Sequence, residues 1–518
     1  MLRKVRITLA ALFFACITLM FLDFTGTLHT WFGWMAKIQF LPAVLALNVG
    51  VIILLVALTL VFGRVYCSVI CPLGIMQDIT SWLSGRRKSK NARFSYSPAK
   101  KWLRYGVLGL FVIAIIAGIG SFVALLAPYS SYGRIVQNLF SPLYRWGNNL
   151  FAYFAERADS YAFYSTEVWL RSLPTFIIAA VTFIAIVILA WRNGRTYCNT
   201  ICPVGTVLGF LSRFSLLKIR IDESKCTSCG LCSRKCKASC INSAAHSVDY
   251  SRCVACMDCI GNCKRGAISY GLKRRENTEL AVAANKNTAG TANAKPAEAA
   301  GSKPSETGDM NRRNFLSVTA LLAGTAAVNA QEQHNVDGGL AVILDKKAPK
   351  RSTPIAPPGA VSLKHLASHC TGCQLCVSAC PNGVLRPSAG LMTLMQPEAS
   401  YERGYCRPEC TECSQVCPAG AILKITDAEK SAIHVGHAVW VKENCVPLTD
   451  GVECGNCARH CPVGAIQMVP SEPGNPASPK IPAVDEQKCI GCGACENLCP
   501  ARPFSAIYVE GHEVHRVD

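Results

Sequence analysis

Charge is scarce in this chain. Asp, Glu, Lys and Arg make up 17% of its 518 residues, against about 25% in an ordinary soluble protein. Acidic residues are the rarer kind, 33 against 53 basic ones. From Gln331 onward 16 Lys and Arg face 19 Asp and Glu, a balance of −3, so the first 330 residues carry +23 of the net +20. A basic, apolar front and a near-neutral rear fit positive loops at a membrane and exclude nucleic acid as the partner. Haem motifs are missing too. Neither C-x-x-C-H nor a bis-histidine pattern occurs, which excludes haem of those types.

Four stretches lack charge for long enough to span a bilayer: about 6–23, 41–62, 102–127 and 173–191. Arg3, Lys4 and Arg6 precede the first. Only Lys37 is basic between the first two. Arg86, Arg87, Lys88, Lys90, Arg93, Lys100, Lys101 and Arg104 follow the second. The loop 128–172 is nearly charge-balanced, and Arg192, Arg195, Arg213, Lys218 and Arg220 follow the fourth. The positive-inside rule then places both ends of a four-helix unit in the cytoplasm.

A twelve-residue pattern occurs twice. Residues 63–74 read GRVYCSVICPLG and residues 194–205 read GRTYCNTICPVG. Each copy follows an apolar run. The cysteines stand at i and i+4, which stacks them on one helical face. Proline then limits the helix, and glycine suits a turn. This is an internal duplication, each unit two membrane helices ending in a cysteine pair, and such repeats place sites at their interface. Cys67, Cys71, Cys198 and Cys202 are therefore expected to meet there as a further metal or redox site. Arg64, Arg195, Tyr66 and Tyr197 read as interfacial anchors. His29, beside Trp31 and Trp34 after the first run, reads as an interfacial polar residue. A quinol proton acceptor is its other reading.

Thirty cysteines would suggest disulfides in a secreted chain, but the spacing decides otherwise. Twenty-four fall into six quartets, nearly all C-x2-C-x2-C-x3-C, the iron–sulfur ligand run. Two lie early: Cys226, Cys229, Cys232 and Cys236, then Cys253, Cys256, Cys259 and Cys263. In such modules the fourth cysteine crosses to the other cluster. One set is thus Cys226, Cys229, Cys232 and Cys263, and the other Cys253, Cys256, Cys259 and Cys236. Lys237 and Lys264 stand where proline usually follows. Four quartets lie late: Cys370, Cys373, Cys376 and Cys380; Cys406, Cys410, Cys413 and Cys417; Cys445, Cys454, Cys457 and Cys461; Cys489, Cys492, Cys495 and Cys499. Each of these ends in Cys-Pro. Their pairing is not fixed by spacing. About six [4Fe–4S] clusters are expected in all. Cys16, in the first run, reads as a small hydrophobe, and Cys240 as a spare.

The organisation that follows is multidomain. A four-span membrane domain at 1–220 carries the two C-x3-C-P motifs. A two-cluster ferredoxin module occupies 221–271. A linker at 272–310, rich in Ala, Asn, Lys, Thr and Glu, leads to 311–339, where Arg312-Arg313-Asn314-Phe315-Leu316 and a short apolar run form a twin-arginine-like signal or a fifth span. A four-cluster ferredoxin-type domain fills 340–518. The fold class is an α-helical membrane unit plus two ferredoxin-like α+β iron–sulfur domains.

These features resemble the NapH/NapG-type quinol dehydrogenases, with NapH and NapG joined end to end, and the methylamine-utilisation ferredoxins of the same shape. The resemblance implies a bacterial inner-membrane, multi-pass electron-transfer protein. It would carry electrons from the membrane quinol pool through the clusters to a periplasmic redox partner, a cytochrome or a terminal reductase such as nitrate reductase. It also implies a periplasmic C-terminal domain, and pairing of its first quartet with the fourth and its second with the third. Two other readings stay open, a metal reductase and a metalloenzyme assembly or maturation factor, both using the C-x3-C-P cysteines.

Overall fold

Two helices of 21 residues, Leu2–Leu22 and Leu173–Asn193, set the frame. Each is long and apolar enough to cross a bilayer, and at 1.5 Å per residue each is about 30 Å long. The computed structural model describes residues 2–23, 25–87, 94–272 and 344–518. The calls on the linker at 272–310 and the signal at 311–339 lie outside the described residues, save Leu272.

The other two apolar runs are not continuous helices. Residues 41–62 form Phe40–Leu45 and Val49–Phe62. Leu47 adopts φ 50° between them, and the Asn48 side chain accepts from the Val51 amide at 3.3 Å to restart the chain as a helix. Residues 102–127 form Lys101–Ile116 and Gly120–Leu126, parted at Gly118 with φ 70°, a conformation glycine adopts without a Cβ penalty. Apolar composition hides both breaks, because one capping residue decides each. The stretch 128–172, read as a loop, holds Pro128–Ile135, with every residue buried, and Ser141–Arg157. A wide π-type turn, Val136–Phe140, joins them.

Three helical paths each run between two cysteine-rich parts. Arg3, near the start of Leu2–Leu22, donates to Asp258 at 2.8 Å. Near its end, Phe21 lies so close to Gly133 that an added methyl group there would sit 2.7 Å from the ring, and 2.5 Å from the Cys373 carbonyl oxygen. Arg104, in Lys101–Ile116, donates to the Ser251 hydroxyl at 3.1 Å. Ser121, in the helix that follows, donates to the Met392 carbonyl at 3.0 Å. Arg171, before Leu173–Asn193, donates to the Val377 carbonyl at 2.7 Å, and Arg195, after it, donates from its amide to the Lys237 carbonyl at 2.9 Å. The early module and the late domain therefore sit at opposite ends of helices about 30 Å long.

Each part closes with short antiparallel strands. In the early module Leu217–Ile221 pairs with Ile268–Leu272, so its first and last strands meet. In the late domain Leu385–Pro387 pairs with Pro397–Ala399, and Ile466–Pro470 with Lys480–Val484. Ile433–Trp440 pairs with Ile507–Val517 through a register shift between Gly511 and Arg516. Trp169 anchors the late domain from the helical side, stacked under the guanidinium groups of Arg386 and Arg403 at 4.6 and 4.7 Å.

Candidate iron–sulfur centres

The duplicated motif folds into two loops that lock into each other. Gly63 and Gly194 take φ 74° and 69°, which turns the chain back into the helical unit. Arg64 then donates to the Cys198 carbonyl at 3.3 Å, the Asn199 side chain at 2.9 Å and the Ser251 carbonyl at 3.1 Å. Arg195 donates to the Cys67 carbonyl at 2.5 Å and to Asp78 at 2.8 Å. Pro72 and Pro203 each open a helix, where their missing N–H is not needed. Gly74 and Gly205 each lie against a carbonyl of their own repeat: a methyl group would sit 2.4 Å from the Cys67 carbonyl in one and 2.3 Å from that of Cys198 in the other. The glycines, arginine and proline of each copy thus have a structural task. Arg64, Arg195, Tyr66 and Tyr197 are all buried, which corrects their reading as interfacial anchors.

Cys67, Cys71, Cys198 and Cys202 are brought together and buried. Cys71 lies within electrostatic reach of Cys198 and Cys67, and Cys202 within reach of all three. The Gln77 amide donates to Cys198 Sγ at 3.2 Å, the Gly205 amide to Cys202 Sγ at 3.3 Å, and Arg64 approaches Cys67 Sγ at 3.8 Å. Donors aimed at sulfur favour the thiolate form a metal centre needs.

In the early module Cys236, Cys253, Cys256 and Cys259 line one cavity, as the crossed ligand rule expects. Cys226, Cys229 and Cys232 face one another, and Cys263 packs in the same small core as Cys232. Cys240 is no spare. It lines the cavity with the first four, its Sγ 3.5 Å from that of Cys236. The bond from Cys240 holds the Cys236 thiol below its usual range, against the burial that pushes it up. The spacing C-x3-C from Cys236 to Cys240 was the signal for it. Lys237, in place of the usual proline, bridges Asp78 and Asp258 at 3.4 and 2.9 Å. It ties the module to the helical unit.

In the late domain neighbours pair. Cys370, Cys373, Cys376 and Cys417 line one cavity. Cys380, Cys406, Cys410 and Cys413 line another. Cys445, Cys454, Cys457 and Cys499 line a third, and Cys461 faces Cys489 and Cys492 of the remaining run. The first quartet thus exchanges its last cysteine with the second, and the third with the fourth. This corrects the pairing that the resemblance implied. The reason is chain reach: adjacent runs are joined by short segments carrying a local hairpin or turn, whereas Ile433–Trp440 and Ile507–Val517 pair across the whole second half.

These sets suit a cubane cluster better than one metal ion. Four of the sets each open around a cavity of their own, the room a cluster needs between its ligands. Burial pushes the Cys373 and Cys457 thiols up to about 11 and Cys256 and Cys492 to about 12. Thiols so buried ionise only when a cation binds them, as iron would.

The sets form a series. Arg64 is within electrostatic reach of Cys253 as well as bonded at the four-thiol centre. Tyr129, fully buried, lies within reach of Tyr66 on one side and of Cys373 and Cys417 on the other. Cys376 faces Cys413, and the Cys406 amide donates to the Cys492 carbonyl at 2.9 Å.

Cysteine sets of this kind, ordered in series between ferredoxin-type hairpins, define an iron–sulfur electron-transfer protein. The family described as "4Fe-4S binding domain" matches residues 44–91 and again 175–222, the two motif repeats. Two families described as "4Fe-4S dicluster domain" match 369–422 and 452–502, in the neighbour pairing seen here. The chain is 30% identical over 178 residues to ferredoxin-type protein NapF of Escherichia coli K12, covering 34% of this chain and 99% of that protein. It is 32% identical over 202 residues to ferredoxin-type protein NapG of the same strain, covering 36% and 80%. To the methylamine utilization ferredoxin-type protein MauM of Methylophilus methylotrophus it is 32% identical over 169 residues, covering 30% and 71%. No solved structure matches. The chain belongs to the Nap/Mau ferredoxin-type iron–sulfur family.

Proposed function

We propose that the chain is a multi-pass membrane protein of the bacterial inner membrane. It takes electrons from the quinol pool and delivers them to a periplasmic oxidoreductase such as nitrate reductase. The six quartet sets named above hold about six [4Fe–4S] clusters. Cys67, Cys71, Cys198 and Cys202 hold a further redox or metal centre between them. A cluster, when bound, supplies reversible one-electron transfer. The protein's own residues fix the spacing, keep water from the sulfurs and aim donors at them.

One observation carries this reading. The helices that join the early module to the late domain are apolar and about 30 Å long, and between those ends stand four buried thiols and three buried tyrosines, Tyr66, Tyr197 and Tyr129. A route across a bilayer needs relay groups along its length. The basic residues at 86–104 favour a cytoplasmic early module, and Arg312-Arg313 favours export of 340–518 as a folded domain.

The test is anaerobic purification of the full chain with iron and sulfide analysis, followed by addition of a quinol. About 24 iron atoms per chain and quinol-driven bleaching of the clusters are expected. Eight irons or fewer, or clusters that dithionite reduces and quinol does not, overturn the reading.

A further inference from the structure

The quinol reading has a more specific form, and it rests on a pair of residues outside the cysteine sets. Asp23 and His29, just past the Leu2–Leu22 helix, are both buried, 7% and 5% exposed. His29 Nδ1 lies 3.1 Å from Asp23 Oδ2. That carboxylate is already filled with donors. Its Oδ1 accepts from the Thr25 amide at 2.9 Å, the Thr25 hydroxyl at 2.8 Å and the Gly26 amide at 3.2 Å, and Oδ2 from the Leu28 amide at 2.8 Å. A carboxylate held as an acceptor on this many sides assigns the imidazole proton to Nδ1. Nε2 is left with a lone pair. It is buried and has no partner among the described residues, and a buried acceptor without a donor is a position that an outside hydroxyl stabilises.

The surroundings suit one kind of hydroxyl. Phe21, two residues before Asp23, packs its ring 5.6 Å from that of Tyr129, and Tyr129 is the tyrosine that reaches Cys373 and Cys417. An electron acceptor set therefore lies one aromatic contact away from this end of the helix. In the short helices that follow, Trp31 and Trp34 are exposed, 77% and 50%, as tryptophans of the belt at a membrane–water boundary are. A base, a nearby one-electron acceptor and an apolar surface at head-group depth together fit a lipid-soluble hydroquinone.

We propose that His29 Nε2 is the proton acceptor for hydroquinone oxidation, with Asp23 its positioning residue. One O–H proton passes to Nε2 as the first electron leaves. The imidazolium releases that proton to outer water past Asp23, Thr25 and Thr27, whose hydroxyls lie 2.9 Å apart. The second O–H proton follows by the same route, leaving the quinone. The two electrons pass singly to the iron–sulfur set of Cys370, Cys373, Cys376 and Cys417.

The experiment uses the full-length protein with its clusters, in nanodiscs, with a reduced naphthoquinone as donor and an alkyl-hydroxyquinoline N-oxide as binding probe. His29→Gln should slow quinol-driven cluster reduction at least about 100-fold and weaken probe binding about tenfold, while dithionite reduces the same clusters as in the wild type. Asp23→Asn should lower kcat with KM little changed. In the wild type an infrared difference spectrum should show the quinol perturbing a histidine ring band, which keeps the assignment testable if His29→Gln loses its iron. A His29→Gln chain with the wild-type rate and probe affinity overturns this site alone. A wild type that dithionite reduces and no quinol does overturns the quinol function as well. An unperturbed histidine band in a wild type that quinol does reduce overturns His29 and leaves that function standing.

Discussion

Arg64 of the first repeat donates to the carbonyl of Cys198 in the second, and Arg195 of the second donates to the carbonyl of Cys67 in the first. The exchange makes each cysteine loop depend on the other repeat. Each half's cysteine loop is therefore held in part by the arginine of the other half. This is why the motif was kept twice with its arginines and glycines, and not merely with its cysteines.

The two arginines differ in what they leave behind. Arg195 is fully buried and paired with Asp78, which also meets Arg6 and Lys237. Arg64 has no carboxylate partner among the described residues and serves a side-chain amide and backbone carbonyls. Removing one partner of a buried ion pair costs about 3–5 kcal/mol, while unmade buried hydrogen bonds cost about 1–3 kcal/mol. Arg195→Met should therefore lower the unfolding midpoint more than Arg64→Met, and both should lower it. Thermal unfolding of the purified chain in detergent checks the order; equal or reversed losses would contradict it.

Much of this was legible in the sequence. The quartets, the duplication and the crossing of Cys236 to the Cys253 run follow from spacing alone. What spacing could not carry was anything set by a single capping residue or by long-range pairing. Asn48 and Gly118 break two apolar runs that hydropathy reads as continuous. Arg64 and Tyr66 sit beside an apolar run, and only the loop that turns back into the helices shows that they are buried. The exchange of Cys417 for Cys380 needed the hairpins between the runs, and four equivalent C-x3-C-P endings gave no hint of it.

The neighbour pairing predicts which cysteines are lost together. Cys376 and Cys417 line one cavity, and Cys413 lines the next with Cys380. Cys376→Ala with Cys417→Ala should cost about four iron atoms per chain, and Cys413→Ala with Cys417→Ala about eight. Iron analysis beside EPR of the reduced protein separates the two. Loss of about eight from the first double variant would restore the first-with-fourth pairing.

Cys240 should tune a cluster without holding one. Its thiol donates toward Cys236 and lies by Cys253, the sulfur that Arg64 faces. Hydrogen bonds to cluster sulfurs set reduction potential, and a donor stabilises the more negative, reduced state. Cys240→Ala should leave the iron content unchanged and make the early module's second centre harder to reduce. An EPR-monitored redox titration reads the shift. An unchanged potential would return Cys240 to a packing role, and a loss of iron would make it a ligand.

The last expectation concerns acid. His515, in the strand Ile507–Val517, is 8% exposed, and neither ring nitrogen has a hydrogen-bond partner among the described residues. Burial, helped by His512, pushes its imidazole from 6.5 down to about 4. The folded domain thus keeps this ring neutral over a range in which the unfolded chain protonates it. The unfolded state binds more protons there, so stability rises with pH. The contribution is fully present above the unfolded value of 6.5 and is lost as pH falls from there toward 4. By about pH 5 the loss amounts to roughly 2 kcal/mol. His515→Leu removes the titration and keeps the apolar packing. The difference in unfolding midpoint between variant and wild type should therefore be larger at about pH 5 than at about pH 7.5, with the variant ahead at the lower pH. Comparing the two chains under the same conditions cancels the acid sensitivity of the clusters, which both share. A difference that stays constant over that range would mean the ring is either solvated or paired in the folded protein.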